Sequence, residues 1–424
     1  MNKNTAGPLD GIIVLDFTWV LAGPTATKHL RDLGAEVIKV EVYKKGATER
    51  GFQTRVINEG VEQSSYSINV NRGKKSICVD LKNPRGMELI HGLIRKSDVV
   101  IQNFTTGVME RLKLDYESVI KIKPDIVYCS ISGFGSWGPY SNKQGYDLTA
   151  QAASGWTAQT DPISQPPVGI GDLNASMHAT TAIMAALLHR QKTGEGQNID
   201  ISLMDCLFTL HENTLPAYLL TSAVGKPVIP PRIGGRLLPF NAPYGVYQGK
   251  NGDIAIALTS DSPGRWSALL DAMGSFGEPL KNDDRFDTIG ARFTLENCRI
   301  VHKAVEDWVL SVDSVEEIER ILDEAGIPCM RVRSIMELAD TDPQIKAREM
   351  MVEIDQPFIG PMKMYGSPFK FSKTPSFPRG HSPFLGEHNR KILSEILGLD
   401  QAEIDTLYRE DVLYHEPAVD RLDK

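Results

Sequence analysis

Short apolar runs alternate with longer amphipathic stretches through the first third of the chain. Five runs have the length and apolar character of buried strands, and they cover residues 11–17, 36–41, 76–81, 98–104 and 125–132. The stretch GPTATKHLRDLG follows the first run and is predicted to be a helix, because proline favours a first helical position and glycine a helix end. A second helix is predicted over residues 83–97. Strands that alternate with helices form βαβ units, so the pattern predicts an α/β fold with a parallel sheet.

The pattern changes near residue 225. The segment GKPVIPPRIGGRLLPFNAPYG is rich in glycine and proline, which is typical of a connection combined with a functional loop. Asn251 and Gly252 lie between two apolar runs and predict a hairpin. Helices are predicted between residues 292 and 325, followed by a strand in AGIPCMRVRS, an extended segment over 369–388 and two short helices. At 424 residues, the chain is long enough for two or three domains.

Charge and composition narrow the range of partners. The chain is 41% hydrophobic and 24% charged, and its formal net charge is -8, which argues against a nucleic-acid binder and against an anionic membrane surface. Its five cysteines form no C-x-x-C pair, which favours a reducing compartment over a disulfide framework. The first residues have no apolar segment like that of a secretory leader. We therefore expect a cytoplasmic enzyme.

Common catalytic and cofactor motifs are absent or incomplete. GFGSWG matches the spacing G-x-G-x-x-G at Gly133, Gly135 and Gly138, but the residues after it read as a loop rather than the helix that a dinucleotide fingerprint needs. The sequence has no G-x-x-x-x-G-K-[ST], no G-x-S-x-G and no H-E-x-x-H motif. Its nine histidines are scattered, so no metal site is expected.

Asp172 comes directly before a long stretch of helix-forming residues. Residues 173–190 are predicted to be a helix with alanines at helical spacing, which makes Asp172 its N-cap, a role worth about 1 kcal/mol. The same position suits a nucleophile. A helix N-terminus should keep the carboxylate ionised at neutral pH, and Gly169 and Gly171 allow a ligand to approach the backbone. A carboxylate can attack an activated acyl group. Local chemistry leaves both roles open.

Several separate segments, in the same order along the chain, resemble the class III CoA-transferases (the CaiB/BaiF type, which includes the formyl-CoA transferases). They are PLDGIIVLDFTWVLAGPTAT, NRGKKSICVDLKNPRG, NFTTGVMERLKL, GYDLTAQAASG, GDLNASMH, KTGEGQNIDISL, APYGVY, GIPCMRV and GEHNRKILSEILGL. The resemblance implies that Asp172 is the nucleophile. In the implied reaction, the Asp172 carboxylate attacks a donor acyl-CoA. An aspartyl anhydride and then an aspartyl-CoA thioester form, and CoA is finally delivered to an acceptor carboxylic acid.

The resemblance also implies the residues that contact coenzyme A, which acts as a substrate and requires no metal. The predicted contacts are Val20, Leu21, Ala22, Val79, Asp80, Leu81, Lys82, Asn103, Phe104, Thr105, Arg111, Gln144, Gly145, Tyr146 and Asp147. Some positions depart from the family pattern. Val42 replaces an arginine and Gln144 a frequent lysine, so Lys44, Lys45 or Lys143 are candidates to contact the phosphates instead.

The family fold implies a large CoA-binding domain with a Rossmann-like parallel sheet and a smaller α+β domain. We expect residues 1–225 to begin the large domain, residues 226–330 to form the small one, and residues 331–424 to return to the large one. Two chains are expected to interlock as a homodimer, with the loop at 234–244 as a candidate lid. The partners are then an acyl-CoA, a small carboxylic acid and a second copy, and the identity of the two acids stays open.

Three alternatives remain at this point. A 2-methylacyl-CoA racemase of the same fold needs an acid/base pair, but Tyr146 stands where the racemases have a histidine. In a non-catalytic CoA-binding protein, Asp172 would be only a helix cap. A nicotinamide oxidoreductase would need the helix that GFGSWG lacks.

Overall fold

The computed structural model describes residues 6–229, 232, 235–238, 241–258 and 264–422. The candidate lid at 234–244 is therefore described only in part, since Gly234, Pro239 and Phe240 lie outside the described residues.

Strands and helices alternate from the start of the chain. The strands are β1 (Ile13–Phe17), β2 (Glu36–Glu41), β3 (Arg55–Asn58), β4 (Val61–Ser64), β5 (Lys75–Cys78), β6 (Val99–Gln102), β7 (Val127–Ser132), β8 (Gln197–Ser202), β9 (Tyr244–Gln248), β10 (Asp253–Ala257), β11 (Cys329–Arg331), β12 (Met351–Gln356) and β13 (Gly360–Tyr365).

The α-helices vary from single turns to one long helix, α7. They are α1 (Ala22–Asp32), α2 (Ser65–Asn71), α3 (Pro84–Lys96), α4 (Val108–Leu112), α5 (Tyr116–Val119), α6 (Asp147–Ala153), α7 (Ile170–Thr193), α8 (Leu203–Phe208), α9 (Thr214–Ala223), α10 (Arg265–Ala272), α11 (Glu278–Lys281), α12 (Ile289–Arg292), α13 (Leu295–Ser311), α14 (Val315–Glu324), α15 (Ile335–Asp340), α16 (Pro343–Ala347), α17 (Asn389–Leu397) and α18 (Gln401–Arg409). Short 3-10 turns cover Thr48–Gly51, Thr157–Gln159, Gly274–Phe276, Asp284–Phe286 and Val419–Arg421. Among the described residues, no helix is both long enough and apolar enough to cross a membrane.

A six-stranded sheet in the order β5-β2-β1-β6-β7-β8 forms the centre of the first structural unit. All its neighbouring strands pair in parallel, with Ile13 opposite Glu36 in β2 and Val14 opposite Val99 in β6. The parallel sheet and its first five strands are therefore confirmed. The sixth strand, β8, was missed because its sequence QNIDIS alternates polar and apolar residues, as an edge strand does.

Helices cover both faces of this sheet, which explains why its strands are apolar on both sides. On one face, Leu15 and Phe17 of β1 pack with α3 and with the C-terminal helices α17 and α18. On the other face, Val14 packs with α1 and α7. The C-terminal segment therefore completes the same core that the N-terminal strands begin.

Contacts divide the chain into two compact units. The first contains residues up to Trp156, Pro166–His211 and the chain from Pro343 onward, and the second contains Thr157–Gln165 and Glu212–Asp342. The expected boundaries, after residues 225 and 330, lie close to these positions but do not coincide with them.

The second unit is built on a three-stranded antiparallel sheet in the order β11-β10-β9. Strands β9 and β10 form the hairpin predicted around Asn251 and Gly252. Its core includes Tyr247, Ile254 and Trp308, packed among the helices between residues 265 and 324.

Two glycines of α3, Gly86 and Gly92, differ in how closely neighbouring residues approach them. A β-carbon at Gly86 would lie 2.1 Å from the carbonyl oxygen of Asp80, which is backbone and cannot move freely, whereas one at Gly92 would meet only the methyl groups of Leu397. We expect Gly86→Ala to lower the free energy of unfolding by at least about 2 kcal/mol. Gly92→Ala should change it by less than about 1 kcal/mol, because alanine favours a helix. Urea unfolding measures both, and equal effects would contradict this packing.

Candidate active site

Asp172 lies in the first turn of α7, which begins earlier than predicted. The helix starts at Ile170 with Gly169 as its N-cap residue, so Asp172 is its third residue. The prediction that Asp172 is the N-cap was therefore wrong. The reason is tertiary: a side chain from another helix supplies the acceptor that the start of α7 needs.

That acceptor is Asp147, the first residue of α6. The backbone N–H groups of Gly171 and Asp172 both donate to Asp147 Oδ1, at 2.7 and 3.1 Å, and Gln151 Nε2 donates to the other carboxylate oxygen. The close approach requires glycine, because a β-carbon at Gly171 would lie 2.8 Å from Asp147 Oδ1. Since Asp147 fills the helix terminus, the side chain of Asp172 is not needed there.

The Asp172 carboxylate is half-buried and has a second carboxylate nearby. Burial, and then the negative charge of Asp147, raise the pKa of Asp172 from 3.8 to about 7. The expectation that the helix N-terminus keeps Asp172 ionised at neutral pH was therefore wrong. A helix dipole contributes about 0.3–1 kcal/mol, which is less than these two opposing effects together. Both protonation states are populated near neutral pH.

Asp172 faces a cavity of about 180 Å³ at the carboxyl ends of the central strands. From β1 the chain adds β2 and then β5 on one side of β1, whereas β6, β7 and β8 are added on the other side. The loops that follow β1 and β6 therefore turn in opposite directions and leave a space between them. Such a switch point is where open parallel sheets bind ligands. The predicted contacts that line the cavity together with Asp172 are Val20, Leu21, Ala22, Asn103, Phe104, Thr105, Gln144, Gly145 and Tyr146.

The other predicted contacts lie outside this lining. Val79 is buried and forms a bridge with Leu413, and the Asp80 N–H donates to the carbonyl oxygen of Val412 at 2.9 Å. Leu81 is partly buried and packs against the core that contains Leu15 and Phe17 of β1. Lys82 and Arg111 are exposed. Asp147 is not part of the lining and accepts the first amides of α7.

Asn103 holds the loop after β1 against the loop after β6. Its Oδ1 accepts the N–H of Trp19 at 2.9 Å, and its Nδ2 donates to the carbonyl oxygen of Trp19 at 2.8 Å. The ring of Phe104 meets the Trp19 ring edge-on, with centroids 5.3 Å apart. Two neighbouring walls of the cavity are therefore fixed to each other.

Tyr66 of α2 belongs to the same surroundings, although it was not among the predicted site residues. Burial, followed by the charges of Asp172, Glu49 and Asp147, raises the pKa of Tyr66, so its phenol stays protonated. Phe52 packs edge-on against its ring at 5.8 Å. No spacing or motif marks Tyr66, because only the tertiary fold brings α2 close to the start of α7.

Lys143 is the one basic residue among the described residues that line the cavity. Its ammonium lies 4.3 Å from the centroid of the Tyr140 ring. Of the three lysines considered as substitutes for phosphate contacts, Lys143 lies at the cavity, whereas Lys44 pairs with Asp411 at 2.8 Å.

The segment GFGSWG does not begin a helix. Gly135 and Gly138 adopt φ angles of +88° and +95°, and the N–H of Ser136 donates to the Asp200 carboxylate. The next helix, α6, starts only at Asp147. The geometry is therefore not that of a dinucleotide-binding turn. In the described part of the chain, no group of three or more His, Cys, Asp or Glu side chains is arranged to hold a metal ion.

Comparison with known proteins decides the family. The model of CoA-transferase family III matches residues 9–389, which is most of the chain. The chain belongs to CoA-transferase family III. The resemblance inferred from the separate motifs is thereby confirmed.

Named relatives of this family III CoA-transferase cover nearly the whole chain. The succinate–glutarate CoA-transferase of Agrobacterium fabrum is 34% identical over 404 residues, which are 93% of this chain and 96% of that protein. The succinyl-CoA:mesaconate CoA-transferase of Haloarcula hispanica is also 34% identical, over 92% of this chain and 96% of its own. The crystal structure of a CaiB/BaiF family protein from Brucella suis has a TM-score of 0.78 at 33% identity, covering 92% of this chain and all of that one.

The raised pKa of Asp172 in this family III CoA-transferase has a consequence for stability. Because the folded protein binds the Asp172 proton more tightly than the unfolded chain does, this group makes the free energy of unfolding fall as pH rises from about 4 through about 7. An asparagine side chain cannot ionise, so Asp172→Asn should be more stable than the wild type at about pH 8.5, with a smaller difference at about pH 5. Thermal unfolding at both pH values checks this, with the exposed Asp10→Asn as control. A difference independent of pH would contradict the raised pKa.

Proposed function

We propose that this enzyme moves CoA from an acyl-CoA donor to a carboxylic acid acceptor, with Asp172 as the nucleophile. The observation that carries the proposal is that two neighbouring carboxylates occupy different positions. Asp147 accepts the α7 amides, whereas Asp172 faces the cavity. A carboxylate nucleophile splits acyl transfer into steps of comparable energy.

The reaction begins with two exchanges at the donor. An oxygen of ionised Asp172 attacks the thioester carbonyl, the C–S bond breaks, and CoA leaves as a thiolate while an aspartyl–acyl anhydride forms. The thiolate then attacks the Asp172 carbonyl of the anhydride. The bond to the donor acyl oxygen breaks, so the donor acid leaves as a carboxylate and Asp172 carries CoA as a thioester.

The same steps in reverse load the acceptor. Its carboxylate attacks the Asp172 thioester and displaces the CoA thiolate, which forms a second anhydride. The thiolate attacks the acceptor carbonyl, and Asp172 leaves as the free carboxylate. Each step exchanges one activated acyl group for another, so no external energy source is needed. The attacking forms are all anions, so ionisation of Asp172 controls the first step.

The loops at the carboxyl ends of the parallel strands offer a path for the rest of CoA. Val20–Ala22, Asn103–Thr105 and Lys143–Tyr146 line the cavity that Asp172 faces, which we assign to the reacting end of the acyl-CoA. Val79, Asp80, Leu81 and Lys82 follow β5 at the same edge of the sheet, and Lys82 and Arg111 are exposed cations suited to phosphate groups.

The relatives support dicarboxylic acids as substrates. Two of them are named for succinate with glutarate and for succinyl-CoA with mesaconate, and a Chloroflexus aurantiacus relative is named for succinyl-CoA with D-citramalate. We take succinyl-CoA as the donor class and another short dicarboxylate as the acceptor class.

A homodimer and a cytoplasmic location complete the proposal. Helix α9 buries none of its residues, and its Tyr218, Leu219 and Leu220 are exposed apolar side chains. Exposed apolar surface of this kind is typical of an interface with another chain. A second copy, interlocked as the family resemblance implies, is the partner that we propose for it.

The racemase alternative gains no support from the site. Proton exchange at C2 needs an acid and a base on two faces of the substrate. The described residues that line the cavity include no histidine, and Tyr146 is 70% exposed. A non-catalytic role for Asp172 as a helix cap is weakened in the same way, because Asp147 performs that role.

Trapping the intermediate tests the nucleophile. The protein is mixed with succinyl-CoA, with acetyl-CoA for comparison, then quenched, treated with hydroxylamine and analysed by peptide mass spectrometry. We expect a modified peptide that contains Asp172 in the wild type and in Asp10→Asn, and none in Asp172→Asn. A modification on another peptide, or full turnover by Asp172→Asn, would contradict the proposal.

The pH dependence of the reaction tests the link between the two carboxylates. Since attack requires ionised Asp172, kcat/KM for the donor should fall below about pH 7 in the wild type. An asparagine in place of Asp147 keeps an oxygen for the α7 amides but removes the negative charge. Asp147→Asn should therefore move the acidic limb of the pH profile, where kcat/KM falls, to lower pH. Asp10→Asn should leave it in place. A limb unchanged in Asp147→Asn would show that this charge does not act on Asp172.

A further inference from the structure

Val20 adopts a backbone conformation that its side chain disfavours. Its φ angle is +66°, in the left-handed region, where β-branched residues are genuine outliers. The other described non-glycine residues with positive φ include none that is β-branched. Val20 also lines the cavity beside Asp172. Strained backbone of this kind persists only where its surroundings hold it.

Glu49 provides the restraint. The N–H of Val20 donates to Glu49 Oε2 at 2.9 Å. Glu49 is fully buried, and its Oε1 pairs with Lys39 Nζ at 3.1 Å and accepts Asn71 Nδ2 at 3.2 Å. Lys39 in turn donates to the carbonyl oxygen of Thr18 at 2.7 Å. The carboxylate is therefore fixed from one side while it holds the strained loop on the other.

The loop that Glu49 restrains borders the reacting end of the cavity. Val20 is followed by Leu21, the N-cap residue of α1. A β-carbon at Gly169 would lie 3.1 Å from Leu21 Cδ2 and 3.6 Å from Asp172 Oδ2, so Leu21 and Asp172 are close neighbours. If Val20 relaxed to a negative φ, the chain would leave β1 in another direction and this arrangement would be lost.

We infer that Glu49 is a positioning residue for CoA transfer. It does not line the cavity, but it fixes Val20 in the left-handed conformation and so places the Trp19–Leu21 segment against the thioester that Asp172 attacks. This inference rests on the proposed role of Asp172. The competing interpretation is that Glu49 only neutralises Lys39 inside the protein. The two interpretations differ in whether the backbone conformation of Val20 matters.

Glycine at position 20 separates them, because glycine adopts positive φ without steric cost. Glutamine at position 49 has one oxygen in place of two, and three donors compete for it. Lys39 takes that oxygen as the charged donor, so Val20 loses its acceptor. We therefore compare the wild type with Glu49→Gln, Val20→Gly and the double variant. The readout is the single-turnover rate of CoA adduct formation on Asp172 with succinyl-CoA.

We expect Glu49→Gln to slow adduct formation by roughly tenfold, as release of a strained residue implies. In the Val20→Gly background, the same Glu49→Gln substitution should slow adduct formation by less than about threefold relative to Val20→Gly itself, because glycine keeps the conformation without the restraint. Affinity for free CoA should change little, since the effect concerns the reacting end. Lys113, at φ +56°, also has a positive φ but does not line the cavity, so Lys113→Gly should not rescue Glu49→Gln.

Two outcomes would overturn the inference: an unchanged rate in Glu49→Gln, or a loss from Glu49→Gln that is equally large in the Val20→Gly background. If Glu49→Gln does not fold, Glu49→Asp replaces it, since its shorter side chain keeps the charge near Lys39 but withdraws the oxygen from Val20. Absence of any Asp172 adduct in the wild type would instead reject the proposed nucleophile. Failure of the two proposals is therefore distinguishable.

Discussion

The two hydrogen bonds from the start of α7 to Asp147 determine what Asp172 can do. A helix N-terminus needs acceptors for its first amides, and an aspartate three residues into the helix would ordinarily be drawn toward them. Because Asp147 fills that role from α6, Asp172 faces the cavity. The same arrangement sets a second negative charge beside it. The carboxylate that the proposed reaction uses as its nucleophile is therefore near its pKa at neutral pH, where a small change in its surroundings alters its ionisation.

The sheet brings the remaining parts of the site together. Loops after β1, β6 and β7 come from distant stretches of the chain, yet parallel strands end at one edge and their order reverses between β1 and β6. Asn103 and Glu49 then fix the loop after β1 from two directions. The strained Val20 lies between these restraints. The cavity is thus shaped by polar contacts beneath its surface as much as by the residues that line it.

Local sequence patterns predicted the parts of the fold that depend on local causes. Apolar runs identified five strands of the parallel sheet, and an Asn-Gly pair identified the hairpin of β9 and β10. Interactions between distant residues produced the failures. The start of α7 depends on Asp147, which accepts the N–H of Asp172 from 25 residues earlier in the chain, and the pKa of Asp172 depends on burial that periodicity does not reveal. Tyr66 carries no motif, and β8 has the mixed polarity of an edge strand.

The central claim is that Asp172 forms the covalent bond to CoA while Asp147 continues to hold the start of α7. A crystal structure of the protein frozen shortly after exposure to succinyl-CoA tests it most directly. The account predicts a thioester between the Asp172 side chain and the CoA sulfur, with Asp147 Oδ1 still accepting the amides of Gly171 and Asp172. CoA attached to a different side chain, or Asp147 turned away from α7 in the intermediate, would contradict it.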